Sequence, residues 1–454
     1  MTRPGAIAFC FAALAVWLPA TPLASQVDAG SCQLVESRFF ERRVQGGAST
    51  VYISGPGTVS CSGGAEVRAD SAVMYERTGE VHLFREVFFQ DTARSVASDR
   101  AVYYDAEARV HATGNVVYTD LERGSTLSGP ELEYLRPTES RPASEVIASG
   151  RPRLTLVPER EGEEPFRVDA DRVRIVGGDR LTASGRVEIY RSDLDASGAS
   201  AFFDGGSDYL ELQGDATVSG ERFDLSGERI EAKVPEGGVE RVTAERNARL
   251  DGEDLRVDAA GITLFFVEQE LARAVAWGER PLAVAEEFRL RADSLDARLQ
   301  NERLREVVAV GRARGETGEF DPEAEATAGT GDGWSDGVPL DRDWLLGDTI
   351  TGYFAETEPP DTAAADSSET VLERLLAKGR ARALHQVEDE DDATAPPSLN
   401  YLSGNSIELT FSEGELDTAT VEGMKRGAFL EPAPDEEQTQ PEEPEEPPGE
   451  EPGR

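Results

Sequence analysis

The chain has few of the residues from which most catalytic sites are built. Its 454 residues include 3 histidines, 3 cysteines and 3 methionines. It contains no Gly-x-Ser-x-Gly nucleophile motif, no Walker A phosphate loop and no His-Glu-x-x-His zinc motif. We therefore expect a protein that is not an enzyme, with no catalytic residue, no metal site and no cofactor.

Positive charge is also scarce. The 46 Lys and Arg residues are outnumbered by 88 Asp and Glu residues, which gives a net charge of −42. A nucleic-acid-binding surface needs clustered basic side chains, so this balance argues against nucleic acid as a partner. Part of the excess is local, because residues 431–454 contain ten acidic residues and seven prolines. That composition predicts a disordered tail.

Long apolar runs are missing, except near the N-terminus. Residues 6–17 are apolar, follow Arg3 and end before Pro19. The run is shorter than the ~20 residues that a membrane-spanning helix needs. It predicts a signal peptide over residues 1–25, cleaved after small residues, and hence an exported protein. A retained transmembrane anchor is the alternative.

Two cysteines remain after such a cleavage. Cys32 and Cys61 form an even pair in an oxidising compartment, which makes them candidates for a disulfide. The sequence does not report their distance, so two free thiols stay open as the alternative. A lipid-modified Cys32 is a further alternative, although Asp28 and residues 29–31 make a poor lipobox.

What the chain does have is an internal repeat. Residues 70–89 and 99–118 align without a gap at an offset of 29 residues, and seven of the 20 paired positions are identical. Looser copies follow, each with a small or acidic opener such as Ser98-Asp99 and a later Gly-x-Val or Gly-x-Ala step such as residues 114–116. A fixed period of this length predicts stacked structural units.

Each unit alternates apolar and polar residues, as in a strand with one apolar face. The alternation predicts an inward apolar face made of Val73, Tyr75, Val81, Leu83, Val87, Phe89, Val102, Tyr104, Val110, Val116, Tyr118, Val187, Ile189, Leu210, Leu212 and Val218. We therefore predict an all-β fold, a repetitive β-jellyroll or β-roll of stacked amphipathic hairpins. It is mainly antiparallel and open along one edge, with a parallel β-helix as the alternative. Only residues 289–305 and 371–385 resemble amphipathic helices.

The chain divides by composition. After the signal peptide we expect an N-terminal lead-in over 26–54 and the repeat body over 55–314. An acidic linker over 315–342, degenerate repeats with acidic insertions over 343–430, and the disordered tail over 431–454 complete the division.

Two features of the sequence could be interpreted as metal sites, namely a pair of histidines and an acidic glycine-rich turn. His82 and His111 occupy equivalent repeat positions and would lie on the outer face, where two histidines without a third ligand make a poor metal site. Residues 204–208 contain one acidic glycine-rich turn, whereas calcium-binding β-rolls need such turns in tandem. Solvated side chains explain both features more simply.

The segments SDRAVYYD (98–105) and VHATGNV (110–116) resemble the OstA-like domain of the lipopolysaccharide-transport family. The likeness covers about residues 55–315. It implies a β-jellyroll open along one edge and a periplasmic location, with association to the outer membrane left open. It also implies that the inward apolar residues bind the acyl chains of lipopolysaccharide or a related glycolipid. Partners would be other transport components joined through sheet edges, or further copies of the chain joined end to end.

Three functions follow as hypotheses. The first is non-enzymatic lipid binding and transport to, or assembly at, the outer membrane through an apolar groove. The second is an envelope or secreted β-solenoid that serves as a structural or adhesive scaffold, in which case the apolar face is simply a filled core. The third, a polysaccharide-active enzyme on a β-helix, would need clustered Asp, Lys or Arg on one outward face, and the sequence has no such cluster.

Overall fold

A computed structural model describes most of the chain. The described residues are 32–61, 65–157, 165–191, 194–235, 238–252, 255–278, 280–285, 288–301, 303–318, 320, 342–356, 370–387, 396–412 and 415–432. The predicted signal peptide, nearly all of the predicted acidic linker and nearly all of the predicted tail lie outside these ranges.

The described structure consists of β-strands and a single 3-10 turn, Asp105–Glu107. The strands are β1 Cys32–Glu36, β2 Phe39–Gln45, β3 Ala48–Cys61, β4 Glu66–Tyr75, β5 Glu80–Gln90, β6 Arg94–Tyr104, β7 Arg109–Asp120, β8 Thr126–Leu135, β9 Glu145–Ser149, β10 Arg153–Leu156, β11 Phe166–Asp169, β12 Arg172–Val176, β13 Arg180–Arg191, β14 Leu194–Asp204, β15 Tyr209–Ser219, β16 Phe223–Lys233, β17 Arg241–Gly252, β18 Arg256–Val267, β19 Glu270–Trp277, β20 Leu282–Val284, β21 Phe288–Arg291, β22 Ser294–Gln300, β23 Arg303–Thr317, β24 Trp344–Glu356, β25 Thr370–Lys378, β26 Arg382–Val387, β27 Ser398–Ser403, β28 Ser406–Ser412, β29 Glu415–Glu422 and β30 Arg426–Leu430. The predicted all-β repetitive fold is confirmed. Within the described ranges no helix has the length and apolarity needed to cross a membrane.

Strand pairing decides between the two predicted architectures. Every pairing among the described strands is antiparallel, and neighbours in sequence are mostly neighbours in the sheet. The alternative of a parallel β-helix is therefore wrong. The two segments that resemble helices, 289–305 and 371–385, lie in strands β21–β23 and β25–β26. These segments pair with neighbouring strands of the sheet, and this pairing determines their conformation more strongly than the helix-like spacing of their apolar residues.

The sheet bends along a line that crosses all its strands. Among the described strands, fourteen run unbroken across this line and the other sixteen form eight pairs of half-strands, such as β9 with β10, so the described part of the sheet has 22 rungs. At the ~4.8 Å spacing of strands, the rungs extend about 100 Å. We call the two sides half-sheet A, which contains β9, and half-sheet B, which contains β10.

β-bulges produce the bend, and the repeat motifs supply them. In β7, Gly114 and Asn115 have positive φ angles of 78° and 47°, and the register with β6 shifts there. Asn115 Nδ2 donates a hydrogen bond to Asp99 Oδ2 at 2.9 Å. Such a bulge bends a strand and increases its twist. The acidic opener of one strand and the Gly-x step of the next strand thus meet at the bend of the sheet, which we call the corner. Equivalent contacts join Asp171 to Arg186, Asp293 to Arg312 and Asp348 to Arg380.

The apolar faces of both half-sheets turn toward each other. In β7, Val110 and Ala112 from half-sheet A and Val116 and Tyr118 from half-sheet B are all buried. One continuous apolar core runs from Ala65 to Ile407. The molecule is therefore a long sheet folded over itself, with the corner on one side and the hairpin tips of the two half-sheets on the other.

Candidate functional site

The interior of the folded sheet is not completely filled. A cavity of about 460 Å³ lies between the half-sheets, with walls contributed from β6 to β17. Its apolar walls include Leu154, Leu156, Phe166, Val168, Ile175, Leu181, Ile189, Leu194, Ala196, Phe203, Leu210, Leu212, Val218, Ile230, Ala232, Val234, Val239 and Val242. Both half-sheets contribute because each strand places alternate residues inward on both sides of the corner.

One end of the cavity is polar. Arg94, Tyr118, Asp120, Arg123, Ser125 and Ser144 line it there, close to the hairpin tips, and Asp179, Arg191 and Asp208 line the cavity at hairpin tips further along the rungs. Burial raises the pKa of the Tyr118 hydroxyl above its ordinary value, so this phenol is neutral at physiological pH. The cavity therefore has a polar rim along the hairpin tips, which includes this end, and mostly apolar walls behind that rim.

Aromatic contacts between the half-sheets lie at both ends of the cavity. At the polar end, Tyr134 of half-sheet A lies 6.0 Å from Phe89 and 6.4 Å from Tyr118 of half-sheet B, measured between ring centroids. At the other end, Phe223 and Phe266 lie 6.0 Å apart. Such ring pairs add about 0.5–1.5 kcal/mol to the area they bury. They hold the half-sheets together and bound the cavity along the rungs.

Polar contacts also join the hairpin tips. Tyr134 donates its hydroxyl proton to Asp91 Oδ2 at 3.3 Å. Arg123, at a tip of half-sheet B, donates to Asp179 Oδ1 at 3.0 Å and to the carbonyl of Gly178 at 3.1 Å, both at a tip of half-sheet A. The predicted open edge is thus the line of hairpin tips, and these contacts bridge it locally.

A second cavity, of about 110 Å³, lies between β21 and β29. Phe288 and Phe354 reach across the half-sheets beside it, with 6.2 Å between ring centroids. At its rim, Asp343 Oδ2 lies 2.5 Å from His385 Nδ1, and this hydrogen bond raises the pKa of His385. The small volume suits a packing gap better than a ligand site.

An ion cluster lies on the opposite, outer face of the same strands. The Glu316 side chain is completely buried, with Arg289 at 2.7 Å and Arg314 at 2.5 Å. Burial and the neighbouring positive charge of Arg289 lower the pKa of Arg314, against the attraction of Glu316. The ring of Phe320 packs near the Arg289 guanidinium, at 4.8 Å from its centroid. The cluster fastens the start of the 318–342 connection to the outer face.

The structure places most of the predicted inward residues inside. Ten are buried in the core, namely Leu83, Val87, Phe89, Val110, Val116, Tyr118, Val187, Ile189, Leu212 and Val218, and Val81 and Leu210 pack against it partly buried. Five of these line the larger cavity, namely Tyr118, Ile189, Leu210, Leu212 and Val218. The other seven fill closed parts of the core.

Four inward assignments are wrong. Val73 and Val102 lie opposite the outward residues His82 and His111, and Tyr75 and Tyr104 share their faces. Opposite residues in an antiparallel pair point to the same side of the sheet. The error arises because apolar residues occupy both parities in 101–104, so alternation could not select the buried set. The structure buries Ala101 instead, and Tyr103 packs partly buried against the core.

The two histidines do lie on the outer face, but on strands separated by β6. His82 Nε2 lies 3.4 Å from Glu80, and His111 Nε2 lies 2.9 Å from Glu131. In the part of the chain that the structure describes, no three His, Cys, Asp or Glu side chains are grouped to hold a metal ion. Cys32 lies directly opposite Cys61 in the β1–β3 register, and their disulfide stays a prediction.

Sequence reasoning missed Arg94 and most of the wall residues, both those between 154 and 175 and others such as Phe203 and Ile230. Those in short strands follow the same alternation of apolar and polar residues, so the alternation could have identified them as inward-facing. Arg94 gave no such signal, because its contact Tyr134 lies 40 residues away.

Comparison of the chain with models of known protein families and with curated proteins gives no match.

Proposed function

We propose that this protein is a non-enzymatic periplasmic carrier that binds lipopolysaccharide or a related glycolipid between its half-sheets and takes part in its transport to the outer membrane. The observation that carries the proposal is the cavity of about 460 Å³, whose walls are mostly aliphatic and whose charged side chains lie at the hairpin tips. A filled scaffold core would leave no such space, since protein interiors normally pack as densely as organic crystals.

The chemistry of the walls suits acyl chains. The cavity volume falls in the ~300–1,000 Å³ range of small-molecule sites, which are mostly apolar with a few polar groups. Each methylene moved from water into such a site contributes about 0.8 kcal/mol. A chain of about ten methylenes would gain about 8 kcal/mol before the cost of association. The head group would remain at the hairpin tips, where water is accessible.

Transport along the sheet would require local opening. The aromatic contacts at Tyr134 and at Phe223 with Phe266 lie in the path of a lipid that moves along the rungs. The contacts that join the hairpin tips are made by side chains, such as Arg123 with Asp179, so the tips can separate without unpairing the sheet. Energy for directed movement would come from partner proteins.

The sheet ends support assembly with partners. Strand β2 pairs only with β3 among the described strands, and its Phe39, Phe40 and Val44 are more than half exposed. Strand edges with free backbone groups accept strands from other chains. Sedimentation over a range of concentrations tests self-association, and a strict monomer throughout would count against it.

Photo-crosslinking tests the lipid site directly. Phe203 lines the cavity, whereas its neighbour Phe202 lies on the outer face, close to Tyr209. Each is replaced in turn by benzoylphenylalanine, a residue of similar shape, and the mature chain is irradiated with lipopolysaccharide. We expect a lipid adduct from position 203 and none from position 202.

The alternative outcomes separate the hypotheses. Adducts at neither position, with the β-sheet signal and thermal unfolding unchanged, would favour the scaffold hypothesis. Equal adducts at both positions would indicate nonspecific association with lipid aggregates, and would contradict an internal site.

A further inference from the structure

We propose that the polar end of the cavity is a binding site for the anionic group of an amphiphile, and that Arg94 is the residue that binds it. The ligand class is a lipid with a carboxylate or phosphate at one end of an acyl chain. The inference rests on the proposed function and adds to it the charge and the orientation of the lipid.

The first support is the state of Arg94. Its Nε atom is inaccessible to water and has no hydrogen-bond partner, and its Nη1 donates a long hydrogen bond of 3.4 Å to the Tyr134 hydroxyl. The other contacts of the guanidinium are also with neutral tyrosines, namely the ring of Tyr134, 5.9 Å from its centroid, and Tyr118. Among the described residues, no carboxylate forms an ion pair with it. By contrast, the part-buried Arg109 and Arg229 pair with glutamates at 3.0 Å and 2.8 Å.

The second support is that the nearby carboxylates already have partners. Asp91 Oδ1 accepts the backbone N–H groups of Ala93 and Arg94, and its Oδ2 accepts the Tyr134 hydroxyl. Asp120 lies opposite Arg94 in the register, but its Oδ1 accepts the backbone N–H groups of the following turn. Both carboxylates stabilise turns and neither forms an ion pair with Arg94. The Arg94 guanidinium therefore has N–H groups that can bind a ligand in the cavity.

The third support is the chemistry of the surroundings. A half-buried guanidinium is costly unless it meets an anion, and an anion held by it in an apolar surrounding forms a strong charge-assisted hydrogen bond. Ser125 and Ser144 line the same end of the cavity, and the aliphatic wall extends from there. The site therefore suits an acid group at Arg94 with its chain directed toward Ile230 and Val242.

A net charge of −42 makes this arrangement selective. The chain as a whole repels free anions, so a small anion gains little from one arginine. An amphiphile combines the same contact with burial of its chain, and only the combination overcomes the repulsion.

The experiment uses a fluorescent polyene fatty acid and its methyl ester, which have the same chain and differ at one end by a negative charge and one methyl group. Both are titrated into the full mature protein, into Arg94→Gln and into Arg100→Gln. Arg100 lies on the same strand but is exposed on the outer face, so it controls for loss of a positive charge.

We expect the fatty acid to bind the native protein about tenfold more tightly than the ester, since a hydrogen bond to a charged group contributes about 1.5–3 kcal/mol. Arg94→Gln should remove the difference by weakening acid binding alone, and Arg100→Gln should preserve it. Arg94→Lys, which keeps the positive charge, should retain part of the difference in affinity between acid and ester. Inorganic phosphate in excess should not displace the probe.

The two proposals fail in different ways. Equal binding of acid and ester to the native protein, unchanged by Arg94→Gln, would overturn the role of Arg94 and leave the lipid cavity standing. Binding of neither probe, with the protein folded, would overturn the proposed function itself. Displacement by phosphate alone would show a site for free anions instead of lipids.

Discussion

At the scale of single residues, the fold depends on a few side chains whose surroundings the sequence does not show. Glu316 and Arg289 are 27 residues apart, yet the carboxylate is completely buried against the guanidinium. Arg94 and Tyr134 are 40 residues apart. Alternation marks which residues point inward in a regular strand, but such distant polar pairs become visible only once the sheet register is known.

Loss of Glu316 should be among the most damaging single changes. Glu316→Ala leaves Arg289 and Arg314 buried without their shared carboxylate, and breaking a buried pair costs about 3 kcal/mol or more. The control is Glu107→Ala, which removes an exposed partner of Arg109 and should cost less than about 1 kcal/mol. Urea unfolding of both variants checks this, and equal midpoints would contradict the buried role of Glu316.

His385 should make stability depend on pH. The hydrogen bond to Asp343 raises the pKa of His385 in the folded protein above its ordinary value. The stabilisation is therefore complete below the ordinary pKa and is lost as the pH rises through the folded pKa. Native protein should therefore gain stability relative to His385→Gln as the pH falls from above the raised pKa to below the ordinary histidine pKa of about 6.5. If the variant shows the same pH dependence as the native protein in thermal unfolding, the assignment to His385 is wrong.

At the scale of strands, the sequence was informative about periodicity and less so about geometry. The openers and Gly-x steps were visible as motifs, but their meeting at one corner was not, because it depends on pairing across strands. The inward parity also switches in a strand that lies opposite a bulge: in β6, Val96 and Ser98 are buried before the corner and Ala101 after it, whereas the bulged strand β7 keeps one parity. A single parity carried through the repeat therefore misplaced Val102 and Tyr104.

The corner should be sensitive to side chains at its glycines. Gly185 has a φ angle of 74°, and a Cβ there would lie 2.5 Å from Asp171 Oδ2. Gly177 has a φ angle of 70° but has nothing within 4 Å of the same position. Gly177→Ala should cost about 1 kcal/mol from the left-handed backbone alone, and Gly185→Ala about 3 kcal/mol.

Chemical denaturation of these variants measures the difference, and Gly185→Ala combined with Asp171→Ala should recover part of the loss. Equal costs for the two single changes would show that contact with the opener Asp171 does not matter at the corner.

The first rungs should be joined by the predicted disulfide. Directly opposite residues in an antiparallel pair have Cα atoms about 4.5–5.5 Å apart, within the range that a disulfide spans. Cys32 and Cys61 are such a pair. Mass spectrometry of peptides from the exported, unreduced protein should find them linked, and Cys61→Ser should lower the thermal midpoint. Two alkylated cysteines in that sample would refute the pairing.

At the scale of the whole molecule, the sequence predicted a repetitive antiparallel sheet with an apolar inner face. It could not show whether that face is filled. The answer varies along the rungs: Val87, Val116 and Val187 pack in closed parts of the core, whereas Leu210 and Leu212 line open space. The difference depends on the separation of the half-sheets, which aromatic contacts such as Phe223 with Phe266 help to fix.

The most direct test of an internal lipid site is the lipid content of the purified protein. Ala196 is buried in the cavity wall, and Ala196→Phe places a ring in the space that an acyl chain would occupy, whereas Thr182→Phe adds the same ring to the exposed outer face. Each mature protein is purified from a bacterial envelope, and its bound lipid is extracted and quantified by mass spectrometry. We predict co-purified acylated lipid in the native protein and in Thr182→Phe, and a loss of at least about tenfold in Ala196→Phe. Lipid-free native protein, or equal lipid in all three, would contradict an acyl-chain site between the half-sheets.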